Sequence, residues 1–380
     1  MSKRKVNILH LIDHYRIGGP GKTILNSAKF IDNNKYKIYV SYFKSRNVES
    51  DFSSAIKKQK LPYLELMDSP GIRFHTIFLL MKFIQSNKIR ILHTHVYKAD
   101  IIGIILKYII PNIILITTHH GWISNNKMQR LYIRVDLLLS RFFNGIIFVS
   151  KPLHEYLISK MRKKRPMVII HNAIVVEDYK KKNFRIMIRN KYGISSKDIL
   201  LGVIGRLSPE KGCLEFLGVF KELSEIYQNL KLMFIGEGPL FDGLKKQVDI
   251  YQLSDKVLLT GYQKVVQPFY ETFDIFISPS KTEGISNVIL EAMAYRLPIV
   301  ATDVGGNSEI IKSYYNGILI KLEDYTHFKE VIIELINNKQ LRRKISNAGL
   351  RTLKQNFSFD MRMKKVQKFY DSLLGDMLHD

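Results

Sequence analysis

The 380-residue chain is long enough for two domains, each with its own core, and its 46% hydrophobic and 24% charged content is that of a globular protein, not of a disordered or fibrous one. A single cysteine, Cys213, excludes intrachain disulfides and a cysteine-held metal cluster, which suits a reducing compartment. The net charge of +25 is uneven: residues 1–180 hold 30 Lys and Arg against 11 Asp and Glu, a net of +19, which assigns an anionic partner to the N-terminal half.

In chain order, the basic start Lys3-Arg4-Lys5 runs at once into a strand pattern at 6–12, with no apolar region of signal-peptide length. The glycine-rich turn Ile17-Gly18-Gly19-Pro20-Gly21 follows, where Gly18 and Gly19 let backbone approach a ligand closely. Gly21-Lys22-Thr23 resembles the end of a P-loop, but that motif needs a glycine five positions before Gly21, and Arg16 stands there. An ATPase or kinase reading is thereby demoted. Strand-like runs continue at 36–42, 63–66, 89–93, 113–118, 145–149 and 167–170. Helical patterns separate them, clearest at 73–86, 99–109, 127–143 and 152–162. This alternation predicts a parallel, doubly wound α/β sheet. The most apolar tract, 101–118, is broken by Lys107 and Pro111-Asn112 and falls short of a membrane span of about 20 apolar residues. Three helices mix apolar and basic residues, as in Phe74-His75-Thr76-Ile77-Phe78, and the run 160–165 is basic. Docking on an anionic membrane would use such faces, each basic residue near lipid contributing about 1 kcal/mol. The plainer alternative is a solvated face over a packed core.

Residues 178–197 are polar and basic, with Lys180-Lys181-Lys182, and mark the expected domain boundary. A second α/β series begins at 199–205 and continues at 230–236, 257–260, 274–278, 299–301 and 317–320. A long amphipathic helical pattern over 359–379 closes the chain. The expected division is 1–178, 179–358, and a final helix within 359–380.

Two stretches carry the chemistry. A strand ends at Gly205, and Arg206 and Lys211 emerge from the loop five positions apart. Two cations at the C-terminal edge of a strand can neutralise a diphosphate without a metal, Arg by engaging two oxygens and Lys as a point charge. The second stretch follows the strand 274–278: Glu283-Gly284 lie on a loop, Ser286 or Asn287 offers a cap, and Val288 begins a helix that carries Glu291. A helix start suits a phosphate, whereas two carboxylates suit hydroxyls, and a nucleotide-sugar has both. Gly236, in Gly236-Glu237-Gly238-Pro239, and Val304-Gly305-Gly306 add tight loops after other strands. His93-Thr94-His95 and Thr118-His119-His120-Gly121 end strands in the first half. Without a Cys or carboxylate at ligand spacing, no metal site is expected there; one histidine bonding the reacting sugar is the better use.

These residues carry a resemblance. Gly205-Arg206-Leu207 with Lys211-Gly212, Glu283-Gly284 with Asn287-Val288 and Leu290-Glu291-Ala292-Met293-Ala294, and Gly305-Gly306 with Glu309 are similar to motifs of the GT-B glycosyltransferases of the retaining family 4. Gly18-Gly19, His120-Gly121 and His171-Asn172 extend it over nearly the whole length. After Asn172 the family usually has glycine and this chain has Ala173, a departure that touches the hinge turn and no proposed catalytic group. The resemblance implies two Rossmann-like domains facing a cleft, with the last helix returning to the acceptor-binding N-terminal domain. It implies Arg206 and Lys211 on the diphosphate, Glu291 on the ribose, Glu283 on donor-sugar hydroxyls, backbone at Ser286, Asn287 and Val288 on anionic oxygens, and His120 on the sugar. The expected activity is retaining transfer of a hexose or N-acetylhexosamine from a nucleotide-sugar, with UDP the expected base. The expected acceptor is a saccharide or a lipid-linked saccharide of bacterial surface-polysaccharide synthesis, at the cytoplasmic face of an anionic membrane. No cofactor, metal or nucleic acid is expected. A non-catalytic binding protein and a nucleotide-sugar epimerase or phosphorylase are the alternatives.

Overall fold

The computed structural model describes residues 5–13, 18–44, 51–69, 71–120, 138–159 and 165–376. Contacts divide the chain into two compact units, Met1–Asn172 with Phe359–Asp380, and Ala173–Ser358.

The first unit is built on a parallel sheet of seven strands. In sequence these are β1 (Val6–Ile12), β2 (Tyr36–Lys44), β3 (Tyr63–Met67), β4 (Ile89–His95), β5 (Ile114–His119), β6 (Gly145–Phe148) and β7 (Met167–Ile169). Their spatial order is β3-β2-β1-β4-β5-β6-β7, so the direction of winding reverses between β1 and β4. Helices cover both faces, which is why the central strands are near-continuous apolar runs: Ile8, Leu9, Leu11, Ile91, Leu92 and Ile114 are all fully buried. The helix Phe359–Asp376 belongs to this unit. A Cβ at Gly145 would meet Leu373 and Phe369 at 2.6 and 2.7 Å, so that helix lies directly on β6. Arg362 on the same helix donates to the carbonyl oxygens of Ile170 and His171 at 2.9 and 2.7 Å.

The second unit has a parallel sheet of six strands, β8 (Ile199–Ile204), β9 (Leu230–Ile235), β10 (Val257–Leu259), β11 (Ile275–Ser278), β12 (Ile299–Thr302) and β13 (Ile318–Ile320). Their order is β10-β9-β8-β11-β12-β13, and winding reverses between β8 and β11. Such a reversal opens a crevice beyond the carboxyl ends of the two diverging strands, where open α/β sheets bind ligands.

The strand-like runs read from the sequence all form strands, their ends shifted by one or two residues. The unit boundary falls at Asn172, ahead of the expected position at Asp178. The physical reason is that the intervening segment packs on the second unit: the Tyr179 hydroxyl donates to Glu291 at 2.9 Å. Nor is the polar stretch after it a loose linker. Lys182 and Phe184 N–H groups donate to Glu271 at 2.7 and 2.9 Å, and Arg185 and Arg189 both pair with Asp274 at 2.7 Å. The helix expected at 152–162 is observed over Lys151–Ile158. Most of the pattern at 127–143, residues 160–164, Arg16, Ile17 and Gly121 lie outside the described residues.

Candidate active site

In the second unit the two strands flanking the reversal deliver the site. β8 runs out into Gly205 and the exposed Arg206, and a short helical turn, Pro209–Lys211, brings Lys211 back. β11 ends at Ser278, and the loop beyond it carries Glu283. Lys211 Nζ lies 2.7 Å from Glu283 Oε1, and the same oxygen accepts from Ser280 Oγ at 2.7 Å. Gly205, Arg206, Lys211, Ser278, Glu283 and Val288 line one depression. Arg206 pairs with no carboxylate among the described residues, so a second cation stands beside the Lys211–Glu283 ion pair.

Neighbouring loops hold this geometry by backbone contact. Gly305 has φ +55, and a Cβ there would sit 1.8 Å from the Glu283 carbonyl oxygen, while Gly306 N–H donates to Gly284 at 2.8 Å. Gly236, at φ +138, leaves no room for a side chain, since a Cβ would lie 1.9 Å from the Gly205 carbonyl oxygen. Only glycine meets both demands, a left-handed backbone and close approach. Lys281 N–H donating to the Glu210 carbonyl at 2.8 Å ties the β8 and β11 loops together.

The helix Asn287–Ala294 starts at the same edge, with Ser286 at the cap position but no side-chain cap bond. Its first N–H groups have no intrahelical acceptor and are available to an anion. Asn287 Oδ1 is buried without a hydrogen-bond partner among the described residues. Glu291 is 1% exposed, and its two oxygens accept from the Tyr179 and Tyr270 hydroxyls, both at 2.9 Å. Burial, reinforced by the Glu291 charge, pushes both phenol pKa values far up, so each remains a donor. Each carboxylate oxygen keeps acceptor capacity for a further hydroxyl. Tyr179, Tyr270 and Ser280 went unnoticed in the sequence because nothing in their spacing marks them; only the packing brings them to the two glutamates.

In the first unit Gly18 caps, and Gly19 begins, the helix Gly19–Phe30 that follows the first strand. His119 is buried and stacks on Phe148, with centroids 5.4 Å apart, whereas His120 is only partly buried just beyond β5. His120 Nε2 lies 3.1 Å from His95 Nδ1, and His95 Nε2 lies 3.0 Å from His10 Nδ1. His10, His93 and His95 bring ring nitrogens within 4.8 Å of one another. Their rings lie face to face rather than edge-on to a common centre, His93 and His95 tilted by 23°, His10 and His95 by 20° and His10 and His93 by 35°. Imidazole lone pairs lie in the ring plane, so rings set in this way do not converge on one ion. His93 is moreover bonded on both nitrogens, to Tyr370 and Thr118 at 2.7 Å. Arg362, with its charge close by, adds repulsion.

Two doubly wound parallel sheets, one with Arg206, Lys211 and Glu283 grouped at its reversal, make up the described chain. Comparison with known proteins narrows the class. Residues 17–178 match the family model Glycosyltransferase Family 4, and residues 184–352 match Glycosyl transferases group 1. The chain belongs to the GT-B glycosyltransferases of family 4. It is 22% identical over 377 residues to the UDP-Gal:alpha-D-GlcNAc-diphosphoundecaprenol alpha-1,3-galactosyltransferase of Escherichia coli, covering 96% of this chain and 97% of that one. It is 26% identical to the capsular polysaccharide biosynthesis glycosyltransferase CapM of Staphylococcus aureus, over 73% of this chain and 76% of that one. The crystal structure of Anabaena HepE with UDP-glucose superposes with a TM-score of 0.84 at 19% identity, over 96% of this chain and 99% of that one.

Proposed function

We propose that the chain transfers a hexose or N-acetylhexosamine from a UDP-sugar, with retention and without a metal, to a saccharide or lipid-linked saccharide of a surface polysaccharide. The observation that carries this reading is the grouping of Arg206, Lys211 and Glu283 at the winding reversal of the second sheet. The activities named for the Escherichia coli and Staphylococcus aureus relatives, and the UDP-glucose bound by HepE, support the donor and acceptor classes.

In the proposed reaction the bond from the anomeric carbon to the diphosphate breaks, and charge develops on the leaving oxygens and on the sugar ring. Arg206 and Lys211 act where the negative charge appears, and a preorganised donor of this kind can contribute a few kcal/mol. Both emerge from the loop after β8, and two cations there can neutralise a diphosphate without a metal. The helix start at Ser286, Asn287 and Val288 adds backbone N–H groups, with Gly205, Gly236 and Gly284 leaving room for close approach. Glu291 receives the ribose hydroxyls. Glu283 receives hydroxyls of the donor sugar; its ion pair with Lys211 and its bond from Ser280 favour a positioning role over covalent attack. The acceptor hydroxyl then attacks from the leaving-group side, and its proton passes to the departing phosphate. His120, at the carboxyl edge of the first sheet, is assigned to a sugar hydroxyl.

The acceptor is proposed to be met at the cytoplasmic face of an anionic membrane, with the chain attached peripherally. No helix among the described residues is long and apolar enough to cross a membrane. Phe74, 96% exposed, and the exposed Phe78, with Lys82 Nζ 4.5 Å from its ring centre, form a basic, apolar face suited to such docking.

The reading is tested by thermal-shift titration with UDP-, GDP- and ADP-sugars. A ligand at 100 times its dissociation constant stabilises by about 2.7 kcal/mol. A rise in melting temperature confined to UDP-sugars is expected; equal shifts with all three, or none, would overturn the choice of UDP.

A further inference from the structure

The buried histidines at the winding reversal of the first sheet have no part in the reaction as described. His10 on β1, His95 on β4 and His120 just past β5 form a line joined nitrogen to nitrogen, with contacts of 3.0 Å and 3.1 Å. His93 is the shelf beneath it: anchored by Tyr370 and Thr118, it stacks on His95 with centroids 4.5 Å apart. Arg362 is the cation packed against the group, held by backbone carbonyls alone and paired with no carboxylate among the described residues.

A nitrogen–nitrogen contact of this length holds one proton, so one ring donates and the other accepts. Burial and the Arg362 charge lower the pKa values of His10, His93 and His95, which keeps those rings neutral with one N–H each. A neutral ring that accepts on one nitrogen must donate from the other, so the line has a single direction and only two arrangements exist. In one, His120 donates to His95, His95 donates to His10, and His10 keeps a proton on Nε2. In the other, the sense is reversed and His10 Nε2 is bare. His10 Nε2 is buried and has no hydrogen-bond partner among the described residues. A proton there would be an unsatisfied donor in the field of a nearby guanidinium, whereas a bare lone pair is favoured by that cation. The second arrangement follows.

We propose that His95 is a positioning residue for His120: it donates from Nδ1 to His120 Nε2, which leaves His120 Nδ1 as the nitrogen that carries the proton and donates to a sugar hydroxyl. This assignment rests on the sugar-contacting role given to His120 above. The ring arrangement itself is independent of that role. His10 and His93 act one step further out, His10 by donating to His95 Nε2 and His93 by setting the plane of the His95 ring.

The test uses the full chain labelled with 15N-histidine and long-range 1H–15N spectra. His10, His95 and His120 are expected as Nδ1-protonated tautomers, and a His120 protonated on Nε2 overturns the proposal. His95→Phe preserves the stack on His93 but has no ring nitrogen. It is expected to return His120 to the Nε2-protonated form and to lower kcat about tenfold with little change in KM for the nucleotide-sugar. His95→Asn, whose amide N–H stands at the Nδ1 position, is expected to recover most of that loss. Equal turnover in wild type and His95→Phe, or equal damage in Phe and Asn variants, would sink the idea. Should His95→Phe fail to fold, the wild-type spectrum still decides. If no nucleotide-sugar is turned over at all, the glycosyl-transfer reading fails while the tautomer is judged separately.

Discussion

Glu283 and Glu291 stand eight positions apart and are held in opposite ways. Glu283 is met by a cation and a hydroxyl, Lys211 and Ser280, so it is ion-paired at the edge of the depression. Glu291 is buried and met by two phenols, Tyr179 and Tyr270. The phenols donate to Glu291 without adding a counter-charge, whereas Lys211 offsets the charge of Glu283. At the same scale, the histidines make a prediction about acid stability. Burial lowers the His10 pKa to about 3 and holds His93 and His95 well below the ordinary 6.5. Below pH 6.5 the unfolded chain binds protons that the folded one refuses, so these groups contribute fully above that pH and their contribution is lost as pH falls. Each costs up to about 1.4 kcal/mol per pH unit. Urea denaturation at pH 7.5 and 5.5 should show a loss of about 3 to 4 kcal/mol for the histidine-bearing unit. An unchanged midpoint would show that the cluster is charged or open to solvent.

Between elements, the segment after the unit boundary is the least expected feature. Its run of lysines reads as a domain boundary, yet the helix Arg185–Lys191 is tied to the start of β11. Arg185 and Arg189 share the two oxygens of Asp274, which also accepts from Leu200 N–H at 2.8 Å on β8. Arg189 is 4% exposed. Asp274→Ala would leave that guanidinium buried without its counter-charge, at a cost of about 3 kcal/mol. Since β8 and β11 carry Arg206 and Glu283 at their other ends, donor affinity should weaken in the same variant. A denaturation midpoint equal to wild type would show that the pair is not a clasp.

Across the whole molecule, periodicity made both sheets legible, because strands buried on two faces must be short apolar runs wherever helices separate them. Arg206, Lys211 and Glu283 were legible because a loop just past a strand end is placed by the strand. The Tyr179 and Tyr270 bonds to Glu291, and the His10 contact with His95, were not. They depend on which strands neighbour each other and on side-chain packing, neither of which a single sequence states. The asymmetry of charge, +19 in residues 1–180 against +6 in the rest, belongs to this scale as well. With Phe74 and Phe78 exposed, it predicts binding to vesicles containing anionic lipid, weakened as salt shortens the Debye length below about 8 Å. Equal binding to neutral and anionic vesicles would contradict a membrane role for this face.

The catalytic donor site is proposed to lie at the reversal of the second sheet. Acceptor-dependent release of UDP by wild type, Arg206→Ala and Lys211→Ala tests it most directly, with circular dichroism as the check on folding. The predicted result is release by wild type and a fall in kcat of roughly a hundredfold or more in each folded variant. Turnover in both variants within a few fold of wild type would contradict it.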